Sequence, residues 1–309
     1  MNNSPHIAIM PNVVVNNLVY DPNGIYIDST IGFGGHSSEI IKNLNQNGQI
    51  IGIDKDPYAL KYTEKLLSVH RKKYKLYHAN YSLFPDFLNE LGLSEVNGFL
   101  FDLGTSSYQI DSKHRGFSFQ NDSNLDMRFN PEEKYTAKDF LHSTDKKELS
   151  TIIKNYSDEM NSYKIACSIM NDVSNNKMNT TVDLKNSISK VVKGKFLVKS
   201  LSRVFQAIRI HVNDELNSLT NTLENCIKYL SIGGRIVVIS FHSIEDRIVK
   251  RFFKHESINC VCPKKVPVCT CDKTASLKII TKKPILPSEI EVKKNPRSSS
   301  AKLMVAERI

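Results

Sequence analysis

Ile25-Tyr26-Ile27-Asp28-Ser29-Thr30-Ile31-Gly32-Phe33-Gly34-Gly35-His36 decides the fold. A short apolar run ends in a carboxylate, a glycine-rich turn follows, and helical spacing runs from Ser37 to Leu44. Glycines at a strand-to-helix turn let the backbone bend tightly and approach a ligand, while the helix N-terminus offers unpaired N–H groups. The pattern predicts the first strand, turn and helix of a nucleotide-binding α/β sheet.

Working outward, Ile50-Ile51-Gly52-Ile53-Asp54, Gly98-Phe99-Leu100-Phe101-Asp102 and Arg235-Ile236-Val237-Val238-Ile239-Ser240 are further apolar runs ending in small or acidic residues. They read as parallel strands buried on both faces. Asp56 before Pro57 is a helix N-cap with proline at the first helical position, so strands and helices alternate as in a doubly wound sheet. The alternation stops after Asp102 and resumes only near Arg209. Residues 136–205 are therefore expected to form an inserted helical domain, with helices over 148–156, 159–173 and 182–192, and residues 1–135 with 206–309 to form the sheet domain. One long amphipathic helix from Arg209 to Leu230 is expected to feed the strand at 235–240, and 301–306 to close the sheet as an edge strand.

With 40% hydrophobic and 24% charged residues the 309-residue chain has the make-up of a globular protein. No apolar run approaches the roughly 20 residues that span a bilayer, and the N-terminal residues lack a secretory pattern, so a cytoplasmic protein without a membrane partner is expected. The net charge of +10 is concentrated: residues 247–309 carry 15 Lys/Arg against 5 Asp/Glu, and the remainder balances. A basic C-terminal region on a neutral body suggests a polyanionic partner such as a nucleic acid, with a merely solvated lysine-rich surface as the plain alternative.

Asp54 follows Asp28 by 26 residues and closes its own strand, where a carboxylate can accept both hydroxyls of a ribose. A nicotinamide site would want glycine three residues beyond Gly34, but Ser37 stands there, and no phosphate-anchoring lysine follows. Asp28 at the head of the turn repels a pyrophosphate and attracts a sulfonium and an ammonium, which favours S-adenosylmethionine. Asp102 ends a strand beside the topological switch point, an address from which a carboxylate can reach an exocyclic amine, although no Asp/Asn-Pro-Pro-aromatic segment is present. Asp102, directly or through a water, is the candidate proton acceptor and His242 its rival. Each also has a structural reading, a helix cap for Asp102 and a backbone-satisfied histidine for His242.

His114, Arg115, Phe117 and Phe119 place cationic and aromatic groups in one short loop, suited either to stacking an unpaired base and holding its phosphate or to packing as a lid. Cys260, Cys262, Cys269 and Cys271 crowd one segment. Four thiols admit a structural zinc, but the single residue within each pair is tighter than the usual two, so zinc is not favoured and no metal is assigned.

These blocks, together with His114-Arg115-Gly116-Phe117-Ser118-Phe119, Leu125-Asp126-Met127-Arg128, Phe205-Gln206-Ala207-Ile208-Arg209-Ile210, Phe241-His242-Ser243-Ile244-Glu245-Asp246-Arg247 and Asn295-Pro296-Arg297-Ser298-Ser299-Ser300-Ala301, resemble the MraW family of bacterial small-subunit ribosomal RNA cytosine-N4 methyltransferases nearly end to end. The resemblance implies a class I S-adenosylmethionine methyltransferase fold, Rossmann-like with a mainly parallel sheet and an inserted helical domain. It implies methylation of the N4 amine of a decoding-region (P-site) cytidine, with 16S rRNA or the small subunit as partner. It places cofactor contacts on Gly34, Gly35, His36, Asp54, Tyr81, Asp102 and Gln109. Arg297, with Lys293 and Lys294 in the basic C-terminal region, joins the loop residues as an expected RNA contact. Two departures fall in the insertion: Val204 stands where threonine is usual and Met160 where arginine is common. A methyltransferase of the same fold acting on DNA or protein amines, and an RNA-binding module without activity, stay open at this level. Oligomeric state is not readable from the sequence.

Overall fold

The computed structural model describes residues 7–70, 73–263 and 270–309. The chain divides into two compact units, one of Met1–Gly104 with Ser218–Ile309, the other Thr105–Asn217.

In the first unit α1 (Pro11–Leu18) precedes β1 (Ile25–Asp28), α2 (Gly35–Lys42), β2 (Gln49–Asp54), α3 (Pro57–Leu67), β3 (Tyr74–His78), α4 (Phe84–Glu90) and β4 (Val96–Asp102). The second unit holds α5 (Ser107–Asp111), α6 (Ala137–Ser143), α7 (Lys146–Ser157), α8 (Ser162–Ser174), α9 (Thr181–Val191) and α10 (Leu197–Asn213). The chain re-enters the first unit within α11 (Glu215–Tyr229) and ends with β5 (Leu230–Ser240), α12 (Ser243–Glu256), β6 (Leu277–Ile279), α13 (Glu289–Lys294) and β7 (Lys302–Arg308).

The sheet order is β3-β2-β1-β4-β5-β7-β6. The first five strands are parallel, and β7 is antiparallel to both β5 and β6. This is the mainly parallel class I methyltransferase arrangement that the strand pattern and the resemblance lead one to expect. Alternation along each strand explains the unbroken apolar runs. Ile27, Ile53, Phe99, Phe101, Ile236 and Val238 enter one core, and their neighbours Tyr26, Ile50, Leu100, Val237 and Ile239 enter the core on the opposite face.

Two expectations about elements are corrected, and one strand lies outside the apolar runs. Residues 301–306 do not form the edge: β7 lies between β5 and β6, and the three-residue β6, too short to show a pattern, takes the outside place. The helix expected over 209–230 is two helices, because Asp214 adopts a left-handed conformation (φ 51°) and caps α10 before α11 begins. The parallel strand β3 carries no apolar run, since as the opposite edge strand it is half-buried and alternates Tyr74, Leu76 and His78 with Lys75 and Tyr77.

Helical spacing marks only the 136–205 part of the second unit. Its start at Thr105 reflects an irregular segment without period, whose Leu125 and Met127 are buried with Phe140, Ile153, Ile169, Val204 and Ile208 in the unit's own core. Val204 is fully buried there, so the hydroxyl it lacks would have faced apolar side chains. Asn213 closes the segment onto α10: its Oδ1 accepts from Phe129 N–H at 2.7 Å, and its Nδ2 donates to the Met127 carbonyl at 2.7 Å and the Arg209 carbonyl at 2.9 Å. Among the described residues no helix is long and apolar enough to cross a membrane.

Asn213→Leu should therefore lower unfolding free energy by about 2–4 kcal/mol, because it strands a buried N–H and carbonyls whose desolvation is no longer offset. Urea unfolding followed by circular dichroism measures this, and a loss below about 0.5 kcal/mol would show that the segment is not held by this side chain.

Candidate functional site

Each of the adjacent strands β1, β2 and β4 ends in an aspartate. Asp28 pairs with Gly52 on one side and Leu100 on the other, so Asp54 and Asp102 lie two residues further along in the same direction. Parallel register thus gathers three carboxylates at one edge of the sheet, the carboxyl ends of its strands, where open α/β sheets bind ligands.

Each carboxylate is held differently. Asp28 is buried, with Oδ2 accepting from Ser37 Oγ at 2.7 Å at the start of α2. Asp54 is half-buried and accepts two backbone N–H groups, from Gly32 at 2.7 Å and Asp56 at 2.8 Å. Asp102 has its N–H on Thr30 Oγ1 at 2.7 Å and its Oδ2 3.3 Å from His36 Nε2, while Oδ1 has no hydrogen-bond partner among the described residues. His36 is buried, and neither ring nitrogen has a hydrogen bond among those residues, the approach of Nε2 to Asp102 being an ion-pair contact.

The turn that joins these groups needs its glycines. Gly34 caps α2 at φ 74°, and a Cβ there would sit 2.9 Å from Thr63 Cγ2, so both conformation and space exclude a side chain. Thr63 Oγ1 also donates to the Gly32 carbonyl at 2.6 Å, which fixes the turn against α3. Gly35 and His36 then open α2, and His36 faces Asp102.

Burial pushes Asp28 up to about 6 against the lowering hydrogen bond from Ser37, and the nearby Asp102 charge adds to the rise. Burial likewise pushes Asp54 up to about 6, its two backbone N–H donors opposing and the charges of Asp56 and Asp28 adding. Burial alone would lower His36, but Asp102 beside it and the charges of Asp28 and Glu291 outweigh burial and raise it. An edge that accumulates negative charge at this cost in desolvation is complementary to a cation.

Tyr81 joins the same edge. Ala79 N–H donates to the Asp54 carbonyl at 3.0 Å, and Asn80 caps the short turn Tyr81–Leu83, which leaves the half-buried Tyr81 ring edge-on to Phe101 at 5.8 Å. Strand reading alone does not reach Tyr81, because β3, which delivers it, is an edge strand without an apolar run. Gln109 lies in the second unit, buried in α5, where it forms a capping box with Ser106: its Oε1 accepts from Ser106 N–H at 3.0 Å. No residue pattern apart from the family resemblance points to it.

His242 is the N-cap of α12. Its Nδ1 accepts from Glu245 N–H at 3.3 Å, its Nε2 lies 3.0 Å from Glu245 Oε1, and Glu245 in turn accepts from Phe241 N–H at 2.9 Å. The β5 tip that carries it is next to Asp102, which pairs with Ile239. In the second unit Arg115 donates through Nη2 to the carbonyls of Arg128 at 2.9 Å and Phe129 at 2.8 Å. Phe117 stacks on Phe129 at 5.7 Å and Phe119 meets Phe205 edge-on at 5.6 Å, so much of both rings packs on that unit's core, while His114 is exposed. Arg297 is exposed on the turn Pro296–Ser300 of the first unit, close in sequence to the exposed Lys293 and Lys294. Cys260, Cys262 and Cys271 lie together, and Cys269 falls outside the described residues.

The chain matches the MraW methylase family over residues 3–309. It is 45% identical over 306 residues to the Ribosomal RNA small subunit methyltransferase H of Caldicellulosiruptor saccharolyticus, covering 98% of this chain and 99% of that protein. It is 41% identical over 307 residues to the protein of the same name from Clostridioides difficile, covering 98% and 99%. An rRNA methylase structure from Streptococcus thermophilus superimposes with a TM-score of 0.43 at 10% identity, over 97% of this chain and 93% of that one, a likeness too loose to add to the topology.

A carboxyl raised in the folded state stabilises the fold fully at pH below its unfolded value near 4, and that contribution is lost as pH rises through about 6. Asp54→Asn, which cannot ionise, should gain on the parent chain by on the order of 1–2 kcal/mol between about pH 4 and pH 7. Denaturant titrations across that range measure the difference. A constant offset between the two proteins would mean that Asp54 titrates as an ordinary carboxylate.

Proposed function

The chain belongs to the MraW methylase family, and from that premise we propose that it uses S-adenosylmethionine to methylate small-subunit ribosomal RNA, at the exocyclic N4 amine of a P-site cytidine in 16S rRNA. The observation that carries this is the row of aspartates at the tips of β1, β2 and β4, laid against a glycine turn. The names of the relatives support the RNA substrate, and the motif resemblance supports the choice of base and atom.

The residues present fit the cofactor. A positively charged donor suits carboxylates that burial has made costly to ionise, and the glycine turn, held tight by the close approach of Gly34 to Thr63, lies against them. When bound, S-adenosylmethionine supplies an electrophilic methyl group on a positively charged sulfur. Asp54 would accept the ribose hydroxyls, the ring of Tyr81 would lie against adenine, and Asp28 would supply negative charge behind the turn. Gly34, Gly35 and His36 would meet the cofactor through the opening of α2, and the family resemblance alone proposes Gln109 as a further contact.

A cytosine amine is a poor nucleophile because its lone pair is delocalised into the ring, so acceptors must draw its N–H groups out of plane. Asp102 Oδ1 is the acceptor proposed for this, and the same oxygen takes the proton that leaves after transfer. His36, whose charged form its acidic neighbours favour, lies beside Asp102 Oδ2 rather than Oδ1. The capping duty of His242 makes it the less suited acceptor. The base must be unpaired or flipped to be reached. Among the residues proposed to meet RNA, His114 and Arg297 are exposed, Arg115, Phe117 and Phe119 are half-buried, and Lys293 and Lys294 add positive charge. A cytoplasmic enzyme follows from such a substrate.

Incubating the purified chain and labelled S-adenosylmethionine with small ribosomal subunits, free 16S rRNA and DNA, then analysing nucleosides by mass spectrometry, should yield N4-methylcytidine from the ribosomal samples. Asp102→Asn should lower kcat by roughly 100-fold or more and, since Asp102 is also a proposed cofactor contact, weaken cofactor binding as a separate effect on KM. Label in DNA or protein alone, or a different methylated nucleoside, would overturn the substrate, and an unimpaired Asp102→Asn would overturn the role of Asp102.

A further inference from the structure

We propose that Cys260, Cys262 and Cys271 hold a structural zinc ion. Each of the three sulfurs can be placed within 4.8 Å of the other two. Thiolates around one tetrahedral zinc at about 2.3 Å stand about 3.8 Å apart, so the cluster needs only a small contraction to close on a metal.

The surroundings argue for an ion rather than for packing. Cys260 is exposed and Cys262 and Cys271 are half-buried, in a stretch between α12 and β6 whose described residues before Leu277 enter neither core of the first unit. Burial of apolar surface therefore does not explain why three thiols gather there. Among the described residues between Glu256 and Leu277 there is no helix or strand. The sulfurs link the two arms of the segment: Val261 N–H points at Cys271 Sγ (3.4 Å), and from the other arm Thr270 N–H points at Cys262 Sγ (3.5 Å). Reciprocal N–H donation to sulfur is the outer-shell arrangement that orients and stabilises metal-bound thiolates, and a protonated thiol is a weak acceptor by comparison. An all-sulfur donor set selects a borderline or soft ion, of which zinc brings no redox chemistry and a tetrahedral preference. Each thiol gives up its proton to solvent on binding. Cys269 lies outside the described residues, and the assignment rests on the other three.

The position makes the role structural. Starting from the β5 tip beside Asp102, α12 runs 14 residues, or about 21 Å, before the thiol segment begins. The far end of that segment is fastened at the opposite end of the sheet, where Ser276 N–H donates to the Glu256 carbonyl at 2.8 Å and Ile309 N–H donates to the Ser276 carbonyl at 3.1 Å. A metal here would pin the excursion between α12 and β6 while taking no part at the aspartate edge.

The test is metal analysis of the full chain purified from zinc-supplemented medium without chelator. About one zinc per chain should survive gel filtration, should be released when a mercurial blocks the thiols, and should fall at least roughly tenfold in Cys262→Ser and Cys271→Ser but not in Cys167→Ser. Cobalt(II) added to the zinc-stripped parent chain should give sulfur-to-metal charge-transfer absorption and the visible bands of a tetrahedral thiolate site, a readout that does not depend on the variants folding. Parent chain with less than about a tenth of a zinc, cobalt without those bands, or serine variants that retain full zinc would overturn the site.

Discussion

Three carboxylates held side by side at the ends of parallel strands are the constraint on which the rest depends. The charge of Asp102 makes Asp28 costlier to ionise and that of Asp28 does the same to Asp54, and the protein keeps the three together with Ser37, the N–H groups of Gly32 and Asp56, and the His36 ring. Nothing in stability requires such a cluster, because carboxylates buried near like charges oppose folding at neutral pH. A sheet with a core on each face supplies the rigidity to hold it. A destabilising arrangement maintained by an otherwise consistent fold is the usual mark of a site built for a ligand.

The local chemistry around the cluster divides labour between neighbouring tips. The imidazole of His36 lies 3.3 Å from one oxygen of Asp102 and the other oxygen has no partner among the described residues, whereas the imidazole of His242 is spent on the first turn of α12 with Glu245. Two histidines at similar strand ends therefore have different uses, and the difference is set by the side chain three or more residues away rather than by the histidine itself. The second unit is built on separate principles. It has its own apolar core, and capping boxes at Thr136 and Thr180 start two of its helices.

Much of this could be read from the chain. The apolar runs at β1, β2, β4 and β5 are continuous because both faces are buried, and the glycine turn after Asp28 has a composition that few other structures need. Asp54 followed from spacing alone. What stayed hidden did so for physical reasons: β3 and β6 are edge strands, one alternating and one three residues long, and neither carries an apolar run. The break at Asp214 depends on a single left-handed residue inside an unbroken helical pattern. Tyr81 and Gln109 are single polar-aromatic and amide residues with no periodicity to betray them, so only the family resemblance pointed there. The loop aromatics Phe117 and Phe119 were ambiguous between packing and stacking because both uses want the same side chains.

The central claim is electrostatic, that the aspartate edge favours a positively charged methyl donor. Calorimetric titration of S-adenosylmethionine and of its uncharged-sulfur product S-adenosylhomocysteine, from about pH 7.5 down to pH 5, tests it most directly. Below about 6 the protons on Asp28 and Asp54 must be displaced for binding, so affinity for the sulfonium should fall by up to roughly tenfold per pH unit for each carboxylate, and more steeply than for the thioether. Equal and pH-independent affinities for the two would contradict the account.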